Sequence, residues 1–218
     1  MNKLIVIVGA GRQGRVIFDV FDKDEAGSLV AGYLDDTKPV GELIRGFPVL
    51  NGFAAIHDRT FVLDHAWIVA IGDNLIRRDL YRVLAEAGAT IVNAVDPTAQ
   101  ISRAATLGRG IYIGPLTSVG PGTAISDWAT IEGHGRIGAD VRIGEAAFFG
   151  PGVIATGGAS IGACSFLGAG TIIANNVRVG ADCVVGANSA VVRDLPDGIS
   201  AYGSPARPAP LRRRPFKR

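Results

Sequence analysis

The stretch IEGHGRIGADVRIGEAAFFGPG (Ile131–Gly152) holds one histidine, His134, and three acids, Glu132, Asp140 and Glu145, among glycines and aliphatic residues. The chain has only three histidines. A histidine beside carboxylates suits proton transfer from a nucleophile, because imidazole titrates near neutrality. Whether His134 works that way depends on where the fold places it. A second run with chemical content lies near the start. VGAGRQG sets Gly9, Gly11 and Gly14 in G-x-G-x-x-G spacing, after an apolar run and before a helical one. Glycines there let the backbone approach a diphosphate, and the helix start offers unpaired N–H groups. Asp35 and Asp36 follow where a ribose contact would sit. The plainer alternative is a tight turn without a ligand.

Two kinds of sequence pattern must position these residues. Residues 1–95 alternate strands and helices. KLIVIVG, SLVAGYLDD, FPVL and WIVAIGD read as strands, RQGRVIFDVFDK as a helix, and LIRRDLYRVLAEAG as an amphipathic helix ended by Gly88. Such alternation implies a parallel sheet covered by helices. The sheet is small for a dinucleotide dehydrogenase, so a mononucleotide-type ligand fits better. From Ile101 the pattern changes to a strict six-residue period that runs to Val191. Every sixth residue is Ile, Leu or Val, except Phe149 and Ala155, and small residues recur two positions earlier. A short fixed period means a solenoid whose rungs bury their inner faces only by stacking. Tight corners account for many of the 30 glycines. Cys183 takes an inward small position, whereas Cys164 is out of that register.

The bulk numbers narrow the function classes. The 218 residues carry a net charge of +2, with 48% hydrophobic and 19% charged residues. That charge is too small to imply nucleic acid, and the basic run LRRRPFKR reads as a solvated tail. Two cysteines outside any C-x-x-C motif imply neither a disulfide framework nor zinc, so no metal is expected. No apolar run is long enough to cross a membrane and LIVIVGAG does not read as a signal peptide, which makes the cytoplasm the default.

The periodic half resembles the left-handed parallel β-helix of hexapeptide-repeat acyltransferases, in which residues eighteen apart stack. The order of motifs is telling: GAGxxG, YLDD, VAIGDN with a following arginine, then hexapeptides ending in GSPAR. It resembles the family of sialic acid O-acetyltransferases and nucleotide-diphospho-aminosugar N-acetyltransferases over roughly residues 2–207. The resemblance implies a Rossmann-like nucleotide-sugar domain (1–95), a β-helix acyltransferase domain (96–207) and a basic tail (208–218). It also implies acetyl-CoA as acyl donor, a nucleotide-linked amino sugar as acceptor, a role in surface-polysaccharide, lipopolysaccharide or glycan biosynthesis, and homotrimers with active sites between subunits.

Site residues follow from the same resemblance. The family pattern near its active site reads roughly N-T-G-A-x-V-E-H-D-x-x-I-G-D-x-x-H-I-A-P-G. With its last two residues on Pro151–Gly152, the family asparagine falls on Glu132, the glutamate on Gly138, the histidine base on Ala139 and the following acid on Asp140. A second histidine, on the CoA side, falls on Phe148, and Gln13 replaces a third in the glycine loop. Aligning His134 with the family base would break the six-residue register. The expected catalytic candidates are Asp140, His134 and Glu132, with Glu145 as a further proton acceptor. Gly9, Gly11, Arg12, Gln13, Asp35, Asp36, Gly72, Asp73, Asn74 and Arg77 match the nucleotide-sugar side. Phe148, Gly157, Ala169, Arg178, Ala187 and Arg207 match the acyl-CoA side, largely through backbone amides. A hydroxyl acceptor needs a general base, whereas a free amine attacks with its own lone pair. Loss of the histidine therefore favours N-acylation. A non-catalytic binding or scaffolding member, and an O-acyltransferase using His134 or Asp140, remain as alternatives.

Overall fold

The computed structural model describes residues 3–23 and 29–209. Contacts divide the chain into two compact units, Met1–Pro97 and Thr98–Arg218. In the first, β1 (Ile5–Val8), α1 (Arg12–Lys23), β2 (Val30–Leu34), β3 (Leu43–Ile44), β4 (Phe47–Asn51), α2 (Arg59–Asp64), β5 (Ala66–Val69), α3 (Asn74–Glu86) and β6 (Thr90–Ile91) follow in order. The sheet order is β3-β4-β2-β1-β5-β6. All neighbours are parallel except the β3–β4 hairpin. β1 and β5 are buried throughout, as continuous apolar runs in a covered parallel sheet should be.

The helix α1 spans the expected residues, while α3 starts at Asn74, one residue earlier than the apolar pattern suggests. The cause is Asp73, whose carboxylate caps the amides of Leu75 and Ile76. Gly88, at φ +81°, follows the helix end in the left-handed conformation that glycine adopts cheaply. The sequence pattern leaves out the β3 strand, the 3-10 turn Phe53–His57, the short α2, which Asp58 caps, and β6.

The second unit is a parallel β-helix. Its first face stacks Gln100–Ile101, Ser118–Val119, Arg136–Ile137, Ile154–Ala155, Ile172–Ile173 and Ala190–Val191. The second stacks Thr106–Leu107, Ala124–Ile125, Arg142–Ile143, Ser160–Ile161 and Arg178–Val179. The third stacks Tyr112–Ile113, Thr130–Ile131, Phe148–Phe149, Phe166–Leu167 and Val184–Val185. Every pairing is eighteen residues apart, and the second residue of each strand is the inward one. Phe149 and Ala155, the two exceptions to the aliphatic pattern, are both fully buried in the same coil. A large and a small inward residue side by side keep the coil's interior volume constant. The last coil is shorter: Val185 pairs with Ala201, sixteen residues on. The antiparallel strand Arg207–Ala209 then covers Ser200–Tyr202. Ordered strand thus runs two residues past the expected start of the basic tail; residues 210–218 lie outside the described residues.

Inside, small polar residues tie the coils together. Thr123 Oγ1 donates to the Gly138 carbonyl and accepts the Val141 amide. Ser165 Oγ does the same for Gly180 and Cys183. Buried hydroxyls are thereby satisfied, which removes the penalty of placing them in the interior.

Candidate functional site

The glycine loop is built by contact. Gly9 sits at φ +107°, and a Cβ there would lie 2.8 Å from Ile71 Cδ1. A Cβ on Gly14 would lie 1.9 Å from the Gly9 carbonyl oxygen, so only glycine lets α1 start this close to β1. Gly11 differs, because a Cβ there would meet nothing within 4 Å. Its bare backbone faces open space, which suits approach by a ligand rather than internal packing. Arg12 is exposed beside it. The Nε2 of Gln13 is buried and finds no partner among the described residues, a costly state for an amide donor unless a bound group accepts from it.

Asp35 does not stand free at the end of β2. It accepts the Ala10 amide through Oδ2 at 2.8 Å, and the Thr37 amide and hydroxyl through Oδ1. Burial pushes its pKa up, but the Thr37 hydroxyl, the two amides and Lys38 outweigh this and hold it below the ordinary Asp value. Asp35 therefore ties the glycine loop to the end of β2. Asp36 accepts the Phe53 amide at 2.7 Å.

The Gly72–Arg77 segment is held together from within. Arg77 is only 1% exposed. Its guanidinium donates to the carbonyls of Ile71 and Gly72 and to Asn74 Oδ1. Asn74 is buried too, and Asp73 is the helix cap. Arg77 and Asn74 thus shape the loop after β5 from buried positions, while Gly72 and Asp73 are partly exposed.

In the β-helix, every sixth residue from Gly110 to Asn188 is left-handed. Nine of these are not glycine, including His134 (φ 61°) and Asp140 (φ 58°). His134 and Asp140 therefore hold the same place in successive corners. Their amides donate to the Pro115 and Pro121 carbonyls of the preceding coil. The residue just before each left-handed one has no role for its amide in the coil ladder. Pro115, Pro121 and Pro151 occupy that place, where a missing N–H costs nothing. At Gly133, Ala139, Gly157, Ala169 and Ala187 the same amide donates to no acceptor among the described residues. The three positions expected on the CoA side, Gly157, Ala169 and Ala187, thus carry spare donors in equivalent places.

Asp140 Oδ1 lies back over Gly122, as Asn176 Oδ1 lies over Gly158 and Asn188 Oδ1 over Gly170. This is the shared pose of corner Asx residues. His134 is exposed and lines a shallow groove with Gln100, Ser118 and Arg136. Glu132 begins the same corner and Glu145 lies two strands further on, both partly exposed. Phe148 is 8% exposed and stacks on Phe166, with ring centroids 5.1 Å apart and planes 16° apart. As a stacked, nearly closed residue it offers an acyl donor little surface of its own. Arg178 is exposed and pairs with Asp197 at 3.0 Å. Arg207 is exposed in the last strand. No cluster of three or more His, Cys, Asp or Glu side chains able to hold a metal occurs among the described residues. No helix among them is long and apolar enough to cross a membrane.

A nucleotide-type α/β unit joined in one chain to a hexapeptide β-helix defines a class: hexapeptide-repeat acyltransferases with their own nucleotide-binding module. Comparison with known proteins gives the family. Residues 4–84 match the PglD N-terminal domain family. The structure is similar to a histidine-to-asparagine variant of perosamine N-acetyltransferase from Caulobacter crescentus, in complex with CoA and GDP-perosamine. Identity is 32%, 94% of this chain and 96% of that one are covered, and the TM-score is 0.89. It is also similar to the acetyltransferase domain of PglB from Neisseria gonorrhoeae in complex with acetyl coenzyme A, at 25% identity, 96% and 100% coverage and a TM-score of 0.88. WeeI from Acinetobacter baumannii shares the fold at 23% identity, 94% and 99% coverage and a TM-score of 0.84. No curated protein matches by sequence. The chain belongs to the sugar N-acetyltransferase family, and its β-helix is the left-handed one of that family.

Proposed function

We propose that this protein transfers the acetyl group of acetyl-CoA to the amino group of a nucleotide-linked amino sugar, without a histidine base. The observation that carries the reading is the near-complete overlap, 94% and 96%, with an N-acetyltransferase bound to CoA and GDP-perosamine. The open backbone at Gly11 and the spare corner amides at Gly157, Ala169 and Ala187 support ligand binding on both counts.

In this reaction the amine nitrogen attacks the thioester carbonyl, the new N–C bond forms and the C–S bond breaks. The nitrogen sheds one proton and the departing CoA thiolate takes one up. An unprotonated amine attacks first and loses its proton afterwards, so a strong base at the corner is dispensable. Most of the rate then comes from holding the two reactants together and from donors to the oxyanion. Ala139 stands where the family base is expected. Asp140, the next residue, is the carboxylate best placed to accept the proton; His134 belongs to the preceding corner. We assign the protein to the cytoplasm, in surface-polysaccharide or glycan assembly, working as a homotrimer.

A thiol-release assay with acetyl-CoA and a panel of nucleotide-linked sugars tests the reading. Turnover is expected with a 4-amino sugar and not with its hydroxyl counterpart. CoA binding without turnover of any amino sugar would instead identify a non-catalytic member.

A further inference from the structure

We propose that the outer side of the second β-helix face is a phosphate-binding site formed by Arg142, Ser160 and Arg178. These residues occupy the outward positions of three successive strands, in direct register: Arg142 pairs with Ser160, and Ser160 with Arg178. Adjacent strands lie about 4.8 Å apart, so the hydroxyl sits midway between two arginine stems roughly 10 Å apart. Both arginines are exposed. The three line one open groove, together with Ser126 and the backbone of Gly144 and Gly162, and no carboxylate lines it. The Arg142 amide donates to the Ala159 carbonyl, but its guanidinium has no ion pair or hydrogen bond among the described residues.

Arg178 donates to Asp197, but both side chains of that pair are more than 60% exposed. An exposed pair of this kind contributes little and exchanges readily for a better acceptor. Two guanidinium groups bracketing a hydroxyl present convergent donors that match phosphate oxygens. The other faces lack this arrangement. The third presents Tyr112, Thr130, Phe148, Phe166 and Val184 outward. The first presents one cation, Arg136, and then turns apolar at Ile154 and Ile172.

The ligand chemistry is a phosphate monoester or a diphosphate. Both proposed substrates carry such groups, and only the choice between them rests on the acetyltransferase reading; the anion site itself does not. Direct titration calorimetry on the full chain decides it, with CoA, dephospho-CoA and GDP as probes. Arg142→Ala and Arg178→Ala are compared with Arg136→Ala, an equal change of charge outside the groove. Melting curves confirm that each variant is folded. The proposal expects Arg142→Ala and Arg178→Ala each to weaken binding of at least one probe about tenfold, with Arg136→Ala near wild type. Asp197→Asn keeps the oxygen that accepts from the Ala181 amide and Arg178 but removes the charge competing for Arg178, and should tighten binding of that same probe. Weakening confined to CoA places its 3′-phosphate in the groove. Equal weakening for CoA and dephospho-CoA places the diphosphate there. Weakening confined to GDP places the acceptor's diphosphate there. Equal effects of all three arginine variants, or none from any, would overturn the proposal. Because binding is read directly, an enzyme inactive with amino sugars still returns a clear answer.

Discussion

Asp140 Oδ1 rests against the bare Cα of Gly122, one coil earlier: a Cβ added to Gly122 would stand 2.1 Å from it. The Asp140 carboxylate is therefore packed against the coil beneath it. Left-handed geometry alone does not demand glycine at position 122, since nine other corners carry larger residues there. Gly122→Ala should displace the Asp140 carboxylate. A double-mutant cycle with Asp140→Gly is expected to show a coupling of about 0.5 kcal/mol or more. Strict additivity in thermal or urea unfolding would contradict the contact.

Asn176 and Asn188 take the same corner pose as Asp140. Asp140→Asn should therefore leave stability within about 0.5 kcal/mol of wild type. If the carboxylate accepts the amine's proton, kcat falls by about tenfold or more while KM for both substrates holds. Full activity in Asp140→Asn would show that the proton leaves directly to solvent.

Arg77 binds two loop carbonyls and Asn74 from a buried position. Arg77→Leu strands those acceptors, at a cost of about 1–3 kcal/mol for each one left unsatisfied. The expected outcome is a clear loss of stability with a raised KM for the nucleotide sugar and an unchanged KM for acetyl-CoA. A stable variant with only its nucleotide affinity lost would restore Arg77 to the ligand-contact role that its position in the sequence suggests.

Phe149 and Ala155 share one coil and are both fully buried. Phe149→Ala should cost about 3–5 kcal/mol, measured by urea unfolding. Ala155→Leu alone should also destabilise, by overpacking, and the pair Phe149→Leu with Ala155→Val should recover part of the loss. No recovery would show that the two positions do not share volume.

The depressed pKa of Asp35 links the glycine loop to acid. Its burial opposes ionisation, but the Thr37 hydroxyl, the Ala10 and Thr37 amides and Lys38 favour it more strongly. A carboxyl with a lowered folded pKa stabilises the fold above its unfolded value, near 3.9, and that contribution is lost as pH falls through the folded value. Asp35→Asn should therefore be less stable than wild type at neutral pH, and the gap should close in the acid range below pH ~4. A gap that persists unchanged into that range would assign the effect to shape alone.

The β-helix was legible because one rule, an aliphatic residue every six, fixes its register from Ile101 to Val191, and each pairing falls eighteen residues apart. The glycine loop was legible because Gly9 and Gly14 answer steric demands that no other residue meets. Other features depend on contacts between coils or elements and leave no local pattern. The left-handed corners at His134 and Asp140 follow from coil closure: both residue types tolerate that conformation, but Leu116, Trp128 and Cys164 adopt it too, so residue type does not mark it. The sixteen-residue last coil appears in the pairings of Val185 with Ala201 and of Val179 with Leu195. The scaffold roles of Arg77 and Asp35 arise where polar side chains, which a sequence reader assigns to ligands, serve nearby backbone instead.

His134 is the one histidine in the β-helix unit, and acetyl transfer to an amine without a histidine base requires that it be dispensable. The most direct measurement is kcat/KM for acetylation of a nucleotide-linked amino sugar by His134→Ala. Retention within about threefold of wild type is predicted, as for a residue that binds or stabilises little. A fall of about a hundredfold or more would make His134 the base and contradict the account.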